Sequence, residues 1–109
     1  MKGTYLGEFE EIVMLTIAAL QDNAYGLAIK RALEEQSNRT VAISAVHASC
    51  NRLEEKGFLS SRFGEKSGRR GGKRKKIYEV SLQGQKALKE AYELRQRLWN
   101  QIPGSAFQI

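Results

Sequence analysis

Residues 59–80 read LSSRFGEKSGRRGGKRKKIYEV, two short segments rich in strand-forming residues held apart by a run of glycines and cations. Residues 59–63 and 76–80 carry Leu59, Phe63, Ile77, Tyr78 and Val80, and Gly64, Gly68, Gly71 and Gly72 punctuate the interval between them. That pattern predicts two antiparallel strands joined by a basic loop. From residue 62 to 76 there are eight Lys/Arg against Glu65 alone, while the rest of the chain holds ten Lys/Arg against eleven Asp/Glu. The hairpin thus carries all of the positive excess behind the net charge of +6. A concentrated positive field attracts polyanions through release of their counterions, which puts nucleic acid ahead of an anionic membrane surface as the partner.

Upstream, the chain reads as three helices. Phe9, Ile12, Val13, Leu15, Ile17 and Leu20 recur at helical spacing over residues 7–21, with Glu8, Glu10 and Glu11 in the first turn, where the helix dipole favours negative charge. Asp22 and Asn23 mark a turn, and Leu27, Ala28, Ile29, Ala32 and Leu33 define a second helix over 25–36. Ser44 is a suitable N-cap for a third helix running to residue 56, which Gly57 closes. Downstream of the hairpin, Ser81 can cap a last helix to about residue 100, with Leu88, Ala91, Tyr92, Leu98 and Trp99 on one stripe. Gly84 in its first turns weakens it by about 1 kcal/mol relative to Ala.

The expected fold is mainly α with a small β-hairpin, in the order α-α-α-β-β-α: a winged helix-turn-helix with a C-terminal dimerisation helix. At 109 residues the chain fits one structural domain, with a DNA-binding part over 1–80, the dimerisation helix over 81–102 and a disordered tail over 103–109. A domain of this size buries a modest share of its surface, so a homodimer is the expected state. The single Cys50 excludes an internal disulfide framework and suits a reducing compartment. No apolar run approaches the roughly 20 residues that span a bilayer, and residues 1–11 lack the form of a secretory signal, so the expected location is the cytoplasm, without a membrane partner.

Helical geometry assigns two faces to the third helix. At about 100° per residue, Ile43, Val46, Cys50 and Leu53 point inward, while Ser44, Ala45, Ala48, Asn51, Arg52 and Glu55 point out. The outward set is small and polar, which suits close approach to the major groove of double-stranded DNA. Asn51 can bond adenine through two hydrogen bonds, Arg52 can reach guanine or a phosphate, and Ser44 can contact phosphate. His47 flanks the same surface. Glu54 and Glu55 would be repelled by phosphates, so the C-terminal half of the helix is expected to lie away from the backbone. In the loop, Lys66, Arg69, Arg70, Lys73, Arg74 and Lys75 are expected to grip the flanking backbone, adding affinity more than sequence information. The inventory argues against an enzyme: one His, one Cys and no paired acids beside a phosphate-binding loop leave no nucleophile and base, and no metal set or other cofactor is expected. The competing reading is a winged-helix module that binds RNA or an acidic protein without sequence-specific DNA recognition.

The order of several segments resembles the PadR family of transcriptional regulators. These are Leu6-Gly7-Glu8-Phe9-Glu10-Glu11, Ala24-Tyr25-Gly26-Leu27-Ala28-Ile29, Ala45-Val46, Arg52-Leu53-Glu54-Glu55-Lys56-Gly57-Phe58-Leu59, and the run from Gly71 through Ile77-Tyr78-Glu79-Val80-Ser81-Leu82-Gln83-Gly84. The resemblance implies a winged-helix dimer, often a repressor, whose last helix exchanges contacts with the partner subunit. With it, Phe9, Leu88, Tyr92, Leu98 and Trp99 are expected at the dimer interface or a ligand pocket there, with the core as the alternative for Phe9, Tyr92 and Leu98. Some PadR-like proteins use an aromatic residue at the Trp99 position to hold flat drugs, so a small-molecule effector is a further implied partner. The chain departs from the family pattern at His47, where Tyr is usual, and at Cys50, where Leu is common.

Overall fold

The computed structural model describes residues 6–64 and 74–107. Helix α1 (Glu8–Leu20) leads through a short 3-10 turn (Gln21–Asn23) into α2 (Gly26–Ser37) and α3 (Ile43–Glu55), followed by strands β1 (Leu59–Phe63) and β2 (Lys76–Val80) and by α4 (Leu82–Asn100). The three-helix body and the hairpin share one core of Val13, Met14, Ile17, Ala24, Ile29, Leu33, Val41, Val46, Cys50, Leu53, Phe58, Leu59 and Tyr78. Full burial of each large aliphatic side chain in it, such as Met14, Ile17, Ile29 and Leu53, contributes about 1.5–3 kcal/mol.

Local chemistry sets most boundaries. At the start of α1, Glu10 reaches back so that the Gly7 backbone N–H donates to its Oε1 at 3.0 Å, half of a capping box, since glycine offers no side chain in return. Helix α2 ends on Asn38, whose left-handed backbone (φ 57°) is the conformation that Asn accepts most readily after Gly. Helix α3 closes on a Schellman motif: Gly57 takes φ +81°, its N–H donates to the Glu54 carbonyl, and the Phe58 N–H donates to that of Leu53 at 2.9 Å.

The start of α3 differs from the sequence expectation. The N-cap is Ala42, not Ser44, which falls in the first turn. The reason is tertiary. Val41 is buried, and its N–H donates to Glu34 Oε2 at 2.9 Å, so the chain is already committed by residue 41 and the helix begins two residues sooner.

The strands match their expected limits and pair antiparallel, from Leu59 opposite Val80 to Phe63 opposite Lys76. The loop beyond Gly64, with Lys66, Arg69, Arg70 and Lys73, lies outside the described residues. Ser81 caps α4 as expected, its Oγ accepting from the Gly84 N–H at 3.0 Å and donating to the Gly57 carbonyl at 2.6 Å. Beyond Ala91 the side chains of α4 are exposed, although Arg95 still pairs with Glu11 of α1, and the principal extents are 61 × 32 × 20 Å. The described part of the tail turns back so that the Phe107 ring lies 6.1 Å from that of Trp99.

Gly84 is the position where the sequence reading was least complete. It is buried, and a Cβ there would fall on the Phe58 carbonyl oxygen and within 2.8 Å of Val80 Cγ1. The residue that looks like a defect in α4 is what lets α4 seat on the hairpin. Gly→Ala in a helix ordinarily gains up to about 1 kcal/mol; here Gly84→Ala is expected to lose about 2 kcal/mol or more, read as a lower urea midpoint, because overpacking outweighs the propensity gain.

Candidate nucleic-acid interface

Helix α3 separates its residues by chemistry. Val46, Ser49, Cys50 and Leu53 are fully buried, whereas Ser44, Ala45, His47, Ala48, Asn51 and Arg52 are all exposed. Ile43 corrects the geometric assignment, and Ser49, left out of it, proves to be inside. Ile43, expected inside, is 37% exposed, because as the first residue of the helix it sits at the rim beside Gly26. Ser49 is inside, and its hydroxyl is satisfied there by Arg52 Nη2 at 3.2 Å.

The hairpin root meets this exposed face. A single open cleft is lined by Tyr25, Gly26 and Leu27 at the start of α2, by His47 and Asn51 on α3, and by Lys75 and Lys76 at the start of β2. The His47 ring rests over Gly26 so closely that any Cβ there would come within 2.9 Å of its Cε1. Lys75 Nζ stands 3.9 Å from the centroid of the Tyr25 ring, a cation–π contact that holds an exposed cation at the mouth of the cleft. Arg74, beside it, is exposed. Sequence reasoning singled out His47, Asn51, Arg74 and Lys75, but not Gly26 or Lys76, whose roles depend on which helix lies opposite.

Arg52 is placed differently from a free groove-reading side chain. Its Nε lies 3.3 Å from Glu10 Oε2, and Lys56 Nζ lies 2.8 Å from Glu10 Oε1. The Glu10 side chain is only 8% exposed. Burial is the strongest single influence on its carboxyl and opposes ionisation, yet the hydrogen bonds from Lys56, the Gly7 N–H and Arg52 together outweigh it and hold its pKa below the usual range. Arg52 thus ties α3 to α1 in the free chain. Cys50, by contrast, is a core thiol: burial first, and the charge of Glu54 second, push it up to about 12, so it is protonated at neutral pH.

With this geometry in view, the family assignment is direct. A family model described as the transcriptional regulator PadR-like family matches residues 14–90, from the middle of α1 into α4. The chain belongs to the PadR-like family of transcriptional regulators. Its fold is that of solved PadR-like structures: a PadR-like transcription factor from Bacteroides fragilis (TM-score 0.72, 23% identity, 84% of each chain covered) and a PadR family transcriptional regulator from Eggerthella lenta (TM-score 0.67, 25% identity, 85% of this chain and 80% of that one). A PadR family regulator from Clostridium difficile also matches (TM-score 0.65, 23% identity, 85% of this chain and 96% of that one). No curated protein shows a significant match to the chain.

In this PadR-like chain the residues expected at an interface divide in two. Phe9 and Leu88 pack against the core, whereas Tyr92, Leu98 and Trp99 are exposed on the C-terminal half of α4. Leu94, 49% exposed, was missed, although its spacing from Ala91 and Leu98, with which it lines a groove toward α1, was legible. A groove between α1 and α4 runs along Leu6, Ala87, Ala91, Leu94 and Leu98, edged by Glu8, Glu11, Glu90 and Arg95. No described helix is long and apolar enough to cross a membrane.

The Glu10 cluster makes a pH prediction. Its folded pKa is depressed, so its contribution is present above the unfolded carboxylate value of about 4.3 and is lost as pH falls through the folded value. Glu10→Gln is expected to cost about 1–2 kcal/mol at pH 7 and to approach the wild type as pH falls below the usual carboxylate range, measured by urea unfolding at each pH.

Proposed function

We propose that this PadR-like chain is a cytoplasmic, sequence-specific regulator that binds double-stranded DNA as a homodimer, with α3 in the major groove and the wing on the flanking backbone, and that it represses transcription by occupying its operator. The observation that supports this most is the shared cleft: His47 and Asn51 of α3 and Lys75 of the hairpin root open onto one side of the molecule. A duplex lying on that side would meet both together. Asn51 discriminates bases, Ser44, Ala45, His47 and Ala48 allow close approach, and Arg74, Lys75 and the loop cations Lys66, Arg69, Arg70 and Lys73 neutralise phosphates. Arg52 reaches DNA only by exchanging its pairing with Glu10. The exposed Tyr92, Leu98 and Trp99 on α4 pack against a second copy, as aromatic and aliphatic residues do at interface centres. The chain acts by binding, without catalysis.

Gel-shift titrations against the DNA upstream of its own gene and against random duplex test the reading. The wild type is expected to prefer the former at physiological salt with competitor present; equal affinity for both would defeat it. Asn51→Ala is expected to lose about 1–3 kcal/mol of that preference. Arg69→Ala with Arg70→Ala is expected instead to weaken binding equally on both DNAs and to flatten the slope of log affinity against log salt by up to about 2.

A further inference from the structure

The carboxylate of Glu54 lies where the hairpin meets α3. Its Oε2 accepts from Ser61 Oγ at 2.7 Å, and its Oε1 accepts from Lys76 Nζ at 3.3 Å. Ser61 belongs to β1 and Lys76 to β2, so one side chain of α3 holds both strands. The register sets Ser61 opposite Tyr78 and Lys76 opposite Phe63, and alternation puts all four on one face of the hairpin. The two grips are therefore offset along the sheet, and together they resist rotation of the hairpin as a single contact cannot. The ion pair of β1 with the turn before α2, Arg62 to Asp22, is solvent-exposed and contributes little to holding the hairpin.

Glu54 also has the wrong charge for its place. It lies one turn from Asn51 and is bonded to a wing cation, where a carboxylate repels phosphate and neutralises Lys76. Electrostatics toward a polyanion gives no reason for it; geometry does. We infer that Glu54 is a positioning residue that fixes the angle between wing and α3, so that both engage one duplex at once. The inference rests on the DNA-binding reading.

The two roles of the carboxylate predict opposite signs. If Glu54 acts only as a negative charge, Glu54→Ala and Glu54→Gln both tighten DNA binding and leave the salt slope unchanged or, with Lys76 released, steeper. As a positioning residue, Glu54→Ala weakens binding to specific and random duplex alike by about 10-fold and flattens the salt slope by about 2, because wing cations no longer reach phosphates. Glu54→Gln, which keeps an acceptor for Ser61, recovers part of the loss. Ser61→Ala removes one grip with no change of charge and is expected to weaken binding by about 3-fold in the same manner. It decides the matter even where circular dichroism shows that Glu54→Ala does not fold. Unchanged or tighter binding with an unchanged or steeper slope in the folded variants overturns the inference while the DNA-binding reading stands. A wild type that binds no duplex overturns both.

Discussion

The joint on which the rest of the molecule depends is made of main chain. The Tyr78 N–H donates to the Ala24 carbonyl at 2.9 Å, and Tyr25 bridges to Ile77, so β2 is stitched to the turn before α2 as well as to β1. Tyr78 closes the seam with a ring that is 3% exposed, and burial above all pushes its phenol up to about 12, so it packs as a neutral group. A hairpin of two strands has little stability alone. Docked this way it becomes part of the core, and its cationic root comes to stand over Tyr25 beside His47 and Asn51. No side-chain substitution removes a backbone hydrogen bond, apart from proline at Tyr78, which makes the position of the wing robust to change in the loop it carries.

A second constraint comes from the acidic first turn of α1. Glu8 pairs with Arg39 between α2 and α3, Glu10 with Arg52 and Lys56 at the end of α3, and Glu11 with Arg95 on α4. One helical turn thus sets the positions of α3 and α4 relative to α1. The pairs are not equal. Glu8 and Arg39 are largely exposed, and such pairs contribute about 0–1 kcal/mol, whereas the buried carboxylate of Glu10 needs its cations, because a buried charge left without a partner is costly. The same need draws Arg52 toward α1, so in the proposed complex fold stability and DNA contact would compete for one guanidinium.

What the sequence made legible was local. Alternation and flanking glycines gave both strands to the residue, the hydroxyl of Ser81 gave the start of α4, and Gly57 gave the end of α3, because each signal acts within a few residues of itself. The outward face of α3 followed from helical period alone. The misreadings all involve distant partners. Ser44 looked like a cap because cap propensity ignores the burial of Val41 and its bond to Glu34. Gly84 looked like a helix defect because nothing in its neighbourhood announces the Phe58 carbonyl. Glu54 and Arg52 were judged by charge toward a ligand, while the fold uses both to join elements, Arg52 across 42 residues to Glu10 and Glu54 across 22 to Lys76.

The central claim is that the polar face of α3 and the hairpin root meet one duplex together. Amide chemical-shift mapping of the isotope-labelled protein during titration with its upstream DNA tests it most directly. The account predicts that residues 44–51 and residues 74–76 shift in parallel along the same titration, while the far end of α4 stays unmoved. Shifts confined to one of the two surfaces, or concentrated on α4 around Trp99, would contradict it.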